Sequence, residues 1–259
     1  MSLILIIIHV DMDIREVLEL YKAGKIGAEE AEKALRTDYV ESLGNDVNLD
    51  MGRQARKGTP EVIYAKAKTP ESVERIVRAA EGRMLVSCAD EGHFEAIEGI
   101  EGVECFRECG CVAVGGFPDE KYCPVAVVTA GTSDIPVAKE ASLMIRMMGC
   151  PCIEYYDIGV SGLHRLIEPM KDIIGRDAAA IVAVAGMEGA LPTLISSLSP
   201  VPVIGVPTST GYGYGGDGTG ALMGMLQSCS PGLSVVNIDN GIGAGAVAAL
   251  ISKGRKKDR

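Results

Sequence analysis

The sequence has no tryptophan and only 3 phenylalanines, so aromatic packing cannot supply its core. Val, Ile, Leu, Ala and Met must do that instead. With 32 glycines, such a composition suits closely packed β–α units, where backbones approach one another. Excess positive charge is also missing. The formal net charge is -10, which repels phosphate backbones at long range, so no nucleic-acid partner is expected. The one dense basic run, Lys253–Arg259, reads as a solvated tail. A long hydrophobic run is absent too. Leu3–Val10 is apolar but interrupted by His9, and it is too short to span a bilayer. No basic segment precedes it and no small-residue cleavage site follows it. No membrane partner and a cytoplasmic location are therefore expected. Met12 opens a clean helical pattern, so the native start is expected there, with residues 1–11 an over-extended reading frame.

Cysteine, by contrast, is plentiful. Without an export signal the 8 cysteines are expected to be reduced thiols rather than a disulfide framework. They are Cys88, Cys105, Cys109, Cys111, Cys123, Cys150, Cys152 and Cys229. The Cys105-x-x-x-Cys109-x-Cys111 spacing fits no common zinc or iron–sulfur arrangement. A cysteine-ligated metal or redox protein stands as the alternative from a different functional class.

Along the chain, residues 13–37 read as two short helices and 40–58 as a polar, glycine-punctuated stretch. Glu61–Ala65 reads as a strand. Thr69-Pro-Glu-Ser-Val-Glu opens a helix, with Thr69 as N-cap and Pro70 in the first turn. Met84–Ser87 begins another strand–helix pass, followed by a cysteine-rich patch and a turn at Gly115–Pro118. The domain boundary is placed there, giving 1–118 and 119–259. Beyond it the pattern is regular, with strands at Val125–Thr129, Cys152–Tyr156, Ala178–Val184, Val201–Val206 and Leu233–Ile238, each followed by a helix or glycine-rich loop. Short strands without polar alternation, spaced by helices, indicate a mainly parallel sheet covered on both faces. Ligands are then expected at the carboxyl ends of the strands.

Five loops carry candidate chemistry. Thr129–Asp134 ends a strand with Gly131, Thr132, Ser133 and Asp134 at a helix start, where amides and hydroxyls cradle phosphate; Asp134 equally suits a cap, a ribose hydroxyl or Mg²⁺. Ala185–Pro192 presents Gly186, Met187 and Glu188, the carboxylate suiting a general base or a dipole-complementing first-turn acid. Val206–Gly220, with Thr208 and Ser209, is too long for a turn alone and reads as a flexible substrate cover. Gln227–Gly232 carries Ser228 and Cys229. Asn237–Gly245, with Asn240 and Gly241, is a weak second phosphate motif.

These segments resemble the phosphoribosyl-aminoimidazole carboxylases. Gly-Thr-Ser-Asp-Ile-Pro is similar to that family's nucleotide loop, and Gly186–Pro192 with Pro202–Pro207 to its next landmark. Two departures stand out: that family's histidine before Leu-Pro is Ala190 here, and its Ser-Ala-His-Arg segment is Val160–Arg165, with the histidine displaced. Purine biosynthesis is therefore the alternative. The whole chain more closely resembles the nicotinic acid adenine dinucleotide carboxylase/hydrolases of nickel-pincer nucleotide synthesis. The likeness runs through Arg53–Tyr64, Thr129–Asp134, Asp157–Arg165, Gly186–Glu188 and Ser228–Gly241. It implies a doubly wound α/β domain with a smaller N-terminal α/β domain. It also implies Cys229 as nucleophile and Glu188 or Asp134 as base. Arg53, Arg56, Lys57, His164 and Arg165 become candidates for phosphate or carboxylate contacts. Mg²⁺ held through the substrate phosphates, CO₂ or bicarbonate as co-substrate, and a homo-oligomer, octameric by resemblance, are implied as well. The products would be pyridinium-3,5-biscarboxylic acid mononucleotide and AMP.

Overall fold

The computed structural model describes residues 14–35, 40–43, 47–50, 52–80 and 82–255. The proposed start at Met12, the segment before it and the last four residues of the basic tail lie outside these. The chain divides into two compact units, Met1–Phe117 and Pro118–Arg259.

In the N-terminal unit, helices α1 (Ile14–Lys22) and α2 (Ala28–Leu35) pack through Val17 and Ala31, with Ile26 of their connection in the same cluster. The stretch from 40, polar and glycine-punctuated in sequence, contains an antiparallel hairpin of β1 (Val40–Leu43) and β2 (Val47–Asp50), then a short helix α3 (Arg53–Lys57). The sequence hides the hairpin because its strands are only four residues long and half polar; Leu49 is buried and joins the core of this unit. A mixed sheet follows in the order β3-β4-β6-β5, from β3 (Glu61–Tyr64), β4 (Met84–Ser87), β5 (Val103–Phe106) and β6 (Cys111–Val114). Helices α4 (Pro70–Ala79) and α5 (Glu91–Ile97) pack on it through Val73, Ile76, Phe94 and Ile97. Thr69 caps α4 by accepting from Ser72 N at 3.3 Å, with Pro70 in the first turn. In the cysteine-rich patch Cys105 and Cys111 stand on neighbouring strands and Cys109 in the turn between them, with Cys109 and Cys111 buried as small apolar side chains.

In the second unit β7 (Val125–Thr129), β8 (Cys152–Tyr155), β9 (Ala180–Ala185), β10 (Val203–Pro207) and β11 (Leu233–Val235) form one sheet ordered β11-β10-β9-β7-β8. Every pairing in it is parallel. Strands β7, β9 and β10 are buried at every position, as expected when helices cover both faces. Helices α6 (Ile135–Met147) and α10 (Gly241–Gly254) pack together on one face. On the other, α7 (His164–Gly175), α8 (Ala190–Leu198) and α9 (Thr219–Leu226) share a core containing Leu166, Met170, Leu191, Ile195 and Met225. The sheet is doubly wound. Neighbouring strands β7 and β9 send their connections to opposite faces, and that reversal opens a crevice at their carboxyl ends.

Candidate active site

The crevice, about 290 Å³, is lined by the loops that leave β7, β8 and β9 and by the long loop after β10. That volume is at the lower end of small-ligand sites. From the first loop come Ala130, Gly131, Ser133 and Asp134; from the second, Gly159, Val160 and Ser161. The turn after β9 adds Gly186, Met187 and Glu188 and runs into Ala190 and Leu191 of α8, while the loop after β10 adds Thr210, Gly211 and Tyr212. Sequence reading missed Ser161, Thr210 and Tyr212 as wall residues. Ser161 lies inside a segment distinguished in sequence by its histidine and arginine, and Thr210 and Tyr212 follow Thr208 and Ser209 on the same loop with no pattern that marks them.

Asp134 ties the walls together. It is 3% exposed, and its Oδ2 accepts from Gly131 N at 2.9 Å. Its Oδ1 accepts from Thr208 Oγ1 at 2.7 Å and from Thr210 Oγ1 at 3.0 Å. Thr208 is therefore an internal strut, fully buried, rather than a surface facing ligand. Ser209 turns the other way and donates its N and Oγ to Asp239 at 2.9 and 2.6 Å. Residues 208–210 are thus gripped between two carboxylates. The rest of the loop is packed on itself rather than loose: a Cβ on Gly215 would lie 2.7 Å from Gly220 Cα, and one on Gly216 would lie 2.7 Å from Tyr212 Cα.

Glu188 sits in an exposed turn between Met187, whose φ is +51, and Gly189, whose φ is +64. A β-carbon on Gly189 would meet Ala221 O at 2.6 Å, so glycine there lets α9 press against the turn. Gly224 of α9 in turn abuts the Glu188 carbonyl, where a Cβ would lie 2.1 Å from the oxygen.

Other expected site residues have different surroundings. Cys229 is exposed on the segment leaving α9 and is not part of the crevice lining. Its neighbour Ser228 accepts from Thr193 Oγ1 at 3.0 Å, which fixes that segment to α8. Arg165 braces the second loop from behind, donating to Asp157 O and Ser161 Oγ, each at 3.0 Å. His164 instead lines a separate apolar groove with Leu163, Ile167, Leu194 and Leu198. Thr132 is exposed and stands outside the lining. The α10 entry is already occupied: Gly241 and Ile242 amides donate to the Glu140 carboxylate, and Gly243 N donates to Asn240 Oδ1 at 2.8 Å. Asn240 and Gly241 therefore close that helix end instead of holding a second phosphate. In the N-terminal unit Arg53 Nε lies 2.6 Å from Glu61 Oε2, and Arg56 pairs with Asp50. Those two guanidiniums have internal carboxylate partners.

A strand-end crevice at the switch point of a doubly wound sheet, walled by glycine, hydroxyl and carboxylate groups, is where α/β domains of this class bind their ligands. Residues 124–258 match the family described as AIR carboxylase, and residues 40–112 match the LarB/PurE-like N-terminal domain. The chain belongs to the AIR carboxylase family and is LarB-like in carrying both of these domains. A Methanocaldococcus jannaschii protein described as uncharacterized is 40% identical over 253 residues, covering 93% of this chain and 97% of its own. The N5-carboxyaminoimidazole ribonucleotide mutase of Thermotoga maritima is 32% identical over 134 residues, 49% of this chain and 73% of that one. The corresponding Pyrococcus horikoshii mutase is 35% identical over 133 residues, 49% and 71%. The named relatives of this family are carboxylases or mutases, and no helix among the described residues is long and apolar enough to cross a membrane.

Proposed function

We propose that the protein carboxylates the pyridinium ring of nicotinic acid adenine dinucleotide and hydrolyses its phosphoanhydride, releasing AMP and pyridinium-3,5-biscarboxylic acid mononucleotide. The observation that carries this reading is the crevice wall at Ala190. The purine carboxylases, by the resemblance above, place a histidine there, and among the described residues the lining here contains Asp134, Glu188 and Tyr212 but no imidazole. The joined N-terminal match supports the same choice, since the mutases align with only 49% of the chain.

The chemistry assigns each group a task. A pyridinium ring is too electron-poor to attack CO₂. Addition of the thiolate of Cys229, which stands outside the crevice lining on the segment that Ser228 ties to α8, the helix whose first residues Ala190 and Leu191 line the crevice, would give a neutral dihydropyridine whose β-carbon is an enamine nucleophile. That carbon bonds to CO₂. A carboxylate then takes the ring proton, and the C–S bond breaks to restore the aromatic cation and the thiolate. Dividing one forbidden step into feasible ones is the usual gain of covalent catalysis. Asp134 is held by three donors, whereas Glu188 is exposed at the mouth and has no ion-pair partner among the described residues. Glu188 is therefore assigned as the base and Asp134 as the residue that shapes the site.

Among the described residues no group of three His, Cys, Asp or Glu side chains is gathered for a metal ion. In this reading Mg²⁺ arrives on the substrate's two phosphates and neutralises their charge. A homo-oligomer in the cytoplasm, with CO₂ or bicarbonate as co-substrate, completes the proposal. Incubating the full-length protein with the dinucleotide, Mg²⁺ and labelled bicarbonate should place label in a pyridinium mononucleotide, with AMP formed alongside. Label appearing instead in aminoimidazole ribonucleotide, when that compound is supplied, would favour the purine alternative.

A further inference from the structure

Small, hydroxyl and acidic side chains make up most of the crevice wall, and among the described residues Tyr212 is its only aromatic one. The ring is 80% exposed, so it contributes little to the protein's own packing. Its backbone is nevertheless held firmly. Thr210, two residues earlier, is bonded to Asp134 at 3.0 Å and to Thr208 at 2.9 Å. On the other side Gly216 lies so close that a Cβ there would be 2.7 Å from Tyr212 Cα. A large flat surface is thus presented at the mouth from a fixed base. Tyr214 on the same loop is fully exposed but does not line the crevice.

The charge around the ring narrows the ligand class. Two carboxylates, Asp134 and Glu188, line the crevice, and among the described residues no Lys, Arg or His does. A phenol face is electron-rich and attracts cations, and aromatic rings stack with an offset on flat partners. From these features we infer that Tyr212 is a binding residue whose ring stacks on a cationic heteroaromatic ring seated in the crevice. Naming that ring as the pyridinium rests on the function proposed above; the stacking itself rests on the wall. The ring would be oriented by Tyr212 with one edge toward Glu188, and the nucleoside half of the ligand would extend outward.

Calorimetric titration of the full chain with nicotinic acid mononucleotide and, separately, with AMP tests this. Tyr212→Ala should raise the Kd for the pyridinium nucleotide about tenfold, while Tyr212→Phe stays within about twofold of wild type. Tyr214→Ala, on the same loop, should leave it unchanged, and AMP should respond little to any of the three. Because the Tyr212 side chain is so exposed, unchanged thermal melting is expected and is measured alongside. Wild-type affinity in Tyr212→Ala, or no binding of the pyridinium nucleotide by the wild type, overturns the inference. The labelled-bicarbonate assay separates the two claims. Carboxylation with an indifferent Tyr212 removes the stacking and keeps the function; affinity lost in Tyr212→Ala without any carboxylation does the reverse.

Discussion

Thr208 Oγ1 donates to Asp134 Oδ1 at 2.7 Å, joining two strand-end loops that lie far apart in sequence. Both residues are almost fully buried, and the same carboxylate also receives Thr210 and the Gly131 amide. An amide at 134 keeps one acceptor oxygen and turns an N–H₂ toward the remaining donors. Asp134→Asn should therefore lose about 2–3 kcal/mol of stability, the usual cost of disrupting a buried charged hydrogen-bond set. Urea denaturation would register this as a lower midpoint at unchanged slope. Ligand affinity should fall as well, since the residues displaced are walls of the crevice. A midpoint equal to wild type would remove Asp134 from this role.

Glu140, on α6, predicts a pH dependence of stability. Burial, followed by the nearby charge of Asp239, pushes its carboxyl up to about 7 from 4.5, against the opposing amides of Gly241 and Ile242. A raised carboxyl pKa means the folded state holds a proton that the unfolded chain has already released. Stability contributed by the neutral form is thus complete below about pH 4.5 and declines as pH climbs toward 7. Glu140→Gln keeps an acceptor for the amides without the charge. It should match the wild type near pH 5 and exceed it above pH 7 by roughly 2–3 kcal/mol. Parallel curves for the two proteins across that range would refute the assignment.

The doubly wound sheet was legible in the sequence because β7, β9 and β10 are continuous apolar runs separated by helices, and burial on both faces leaves no other pattern. The short strands of the N-terminal unit were not. In β5 the outward Glu104 and in β1 the polar Glu41 and Ser42 give four-residue segments too brief for a period to show. At the site, the loops that carry glycine and acid were recognisable from composition. Direction was not: whether Thr208 or Thr210 faces the ligand depends on Asp134, a partner remote in sequence. The glycines of α10 show the same limit. A strand followed by Asn-Gly-Ile-Gly-Ala-Gly reads as a phosphate loop until α6 is seen pressed against it.

That contact gives a steric prediction. A β-carbon on Gly241 would lie 2.2 Å from Val137 O, and one on Gly245 would lie 2.5 Å from Ala141 O. Both obstacles are helix backbone, which cannot swing aside as a side chain can. Gly245→Ala should gain helix propensity of about 1 kcal/mol yet lose more through separation of the helices, with a net destabilisation of about 1–3 kcal/mol. Gly254→Ala, where nothing lies within 4 Å, serves as the control. It should be neutral or slightly stabilising in the same thermal melt. Equal melting temperatures for the two variants would mean that α6 and α10 tolerate a wider spacing.

Cys229 allows the proposed covalent step to be tested without assuming the product. Cys229 and Cys88 are exposed, whereas Cys152 is partly buried and desolvation pushes its thiol up to about 12. Only thiolates react appreciably with iodoacetamide. Brief alkylation of the native protein at pH 8, read by peptide mass spectrometry, should label Cys229 and Cys88 and spare Cys152. Adding nicotinic acid adenine dinucleotide should slow labelling at Cys229 and leave Cys88 untouched, because a sulfur bonded to or covered by the ring is withdrawn from the reagent. The exposed position predicts that Cys229→Ser folds normally, yet carboxylation should fall below detection, since serine is not ionised at neutral pH and its alkoxide is a poor leaving group. Nucleotide binding should persist in this variant. Undiminished labelling of Cys229 under saturating dinucleotide would show that the sulfur never meets the ring, and the addition step would have to be abandoned.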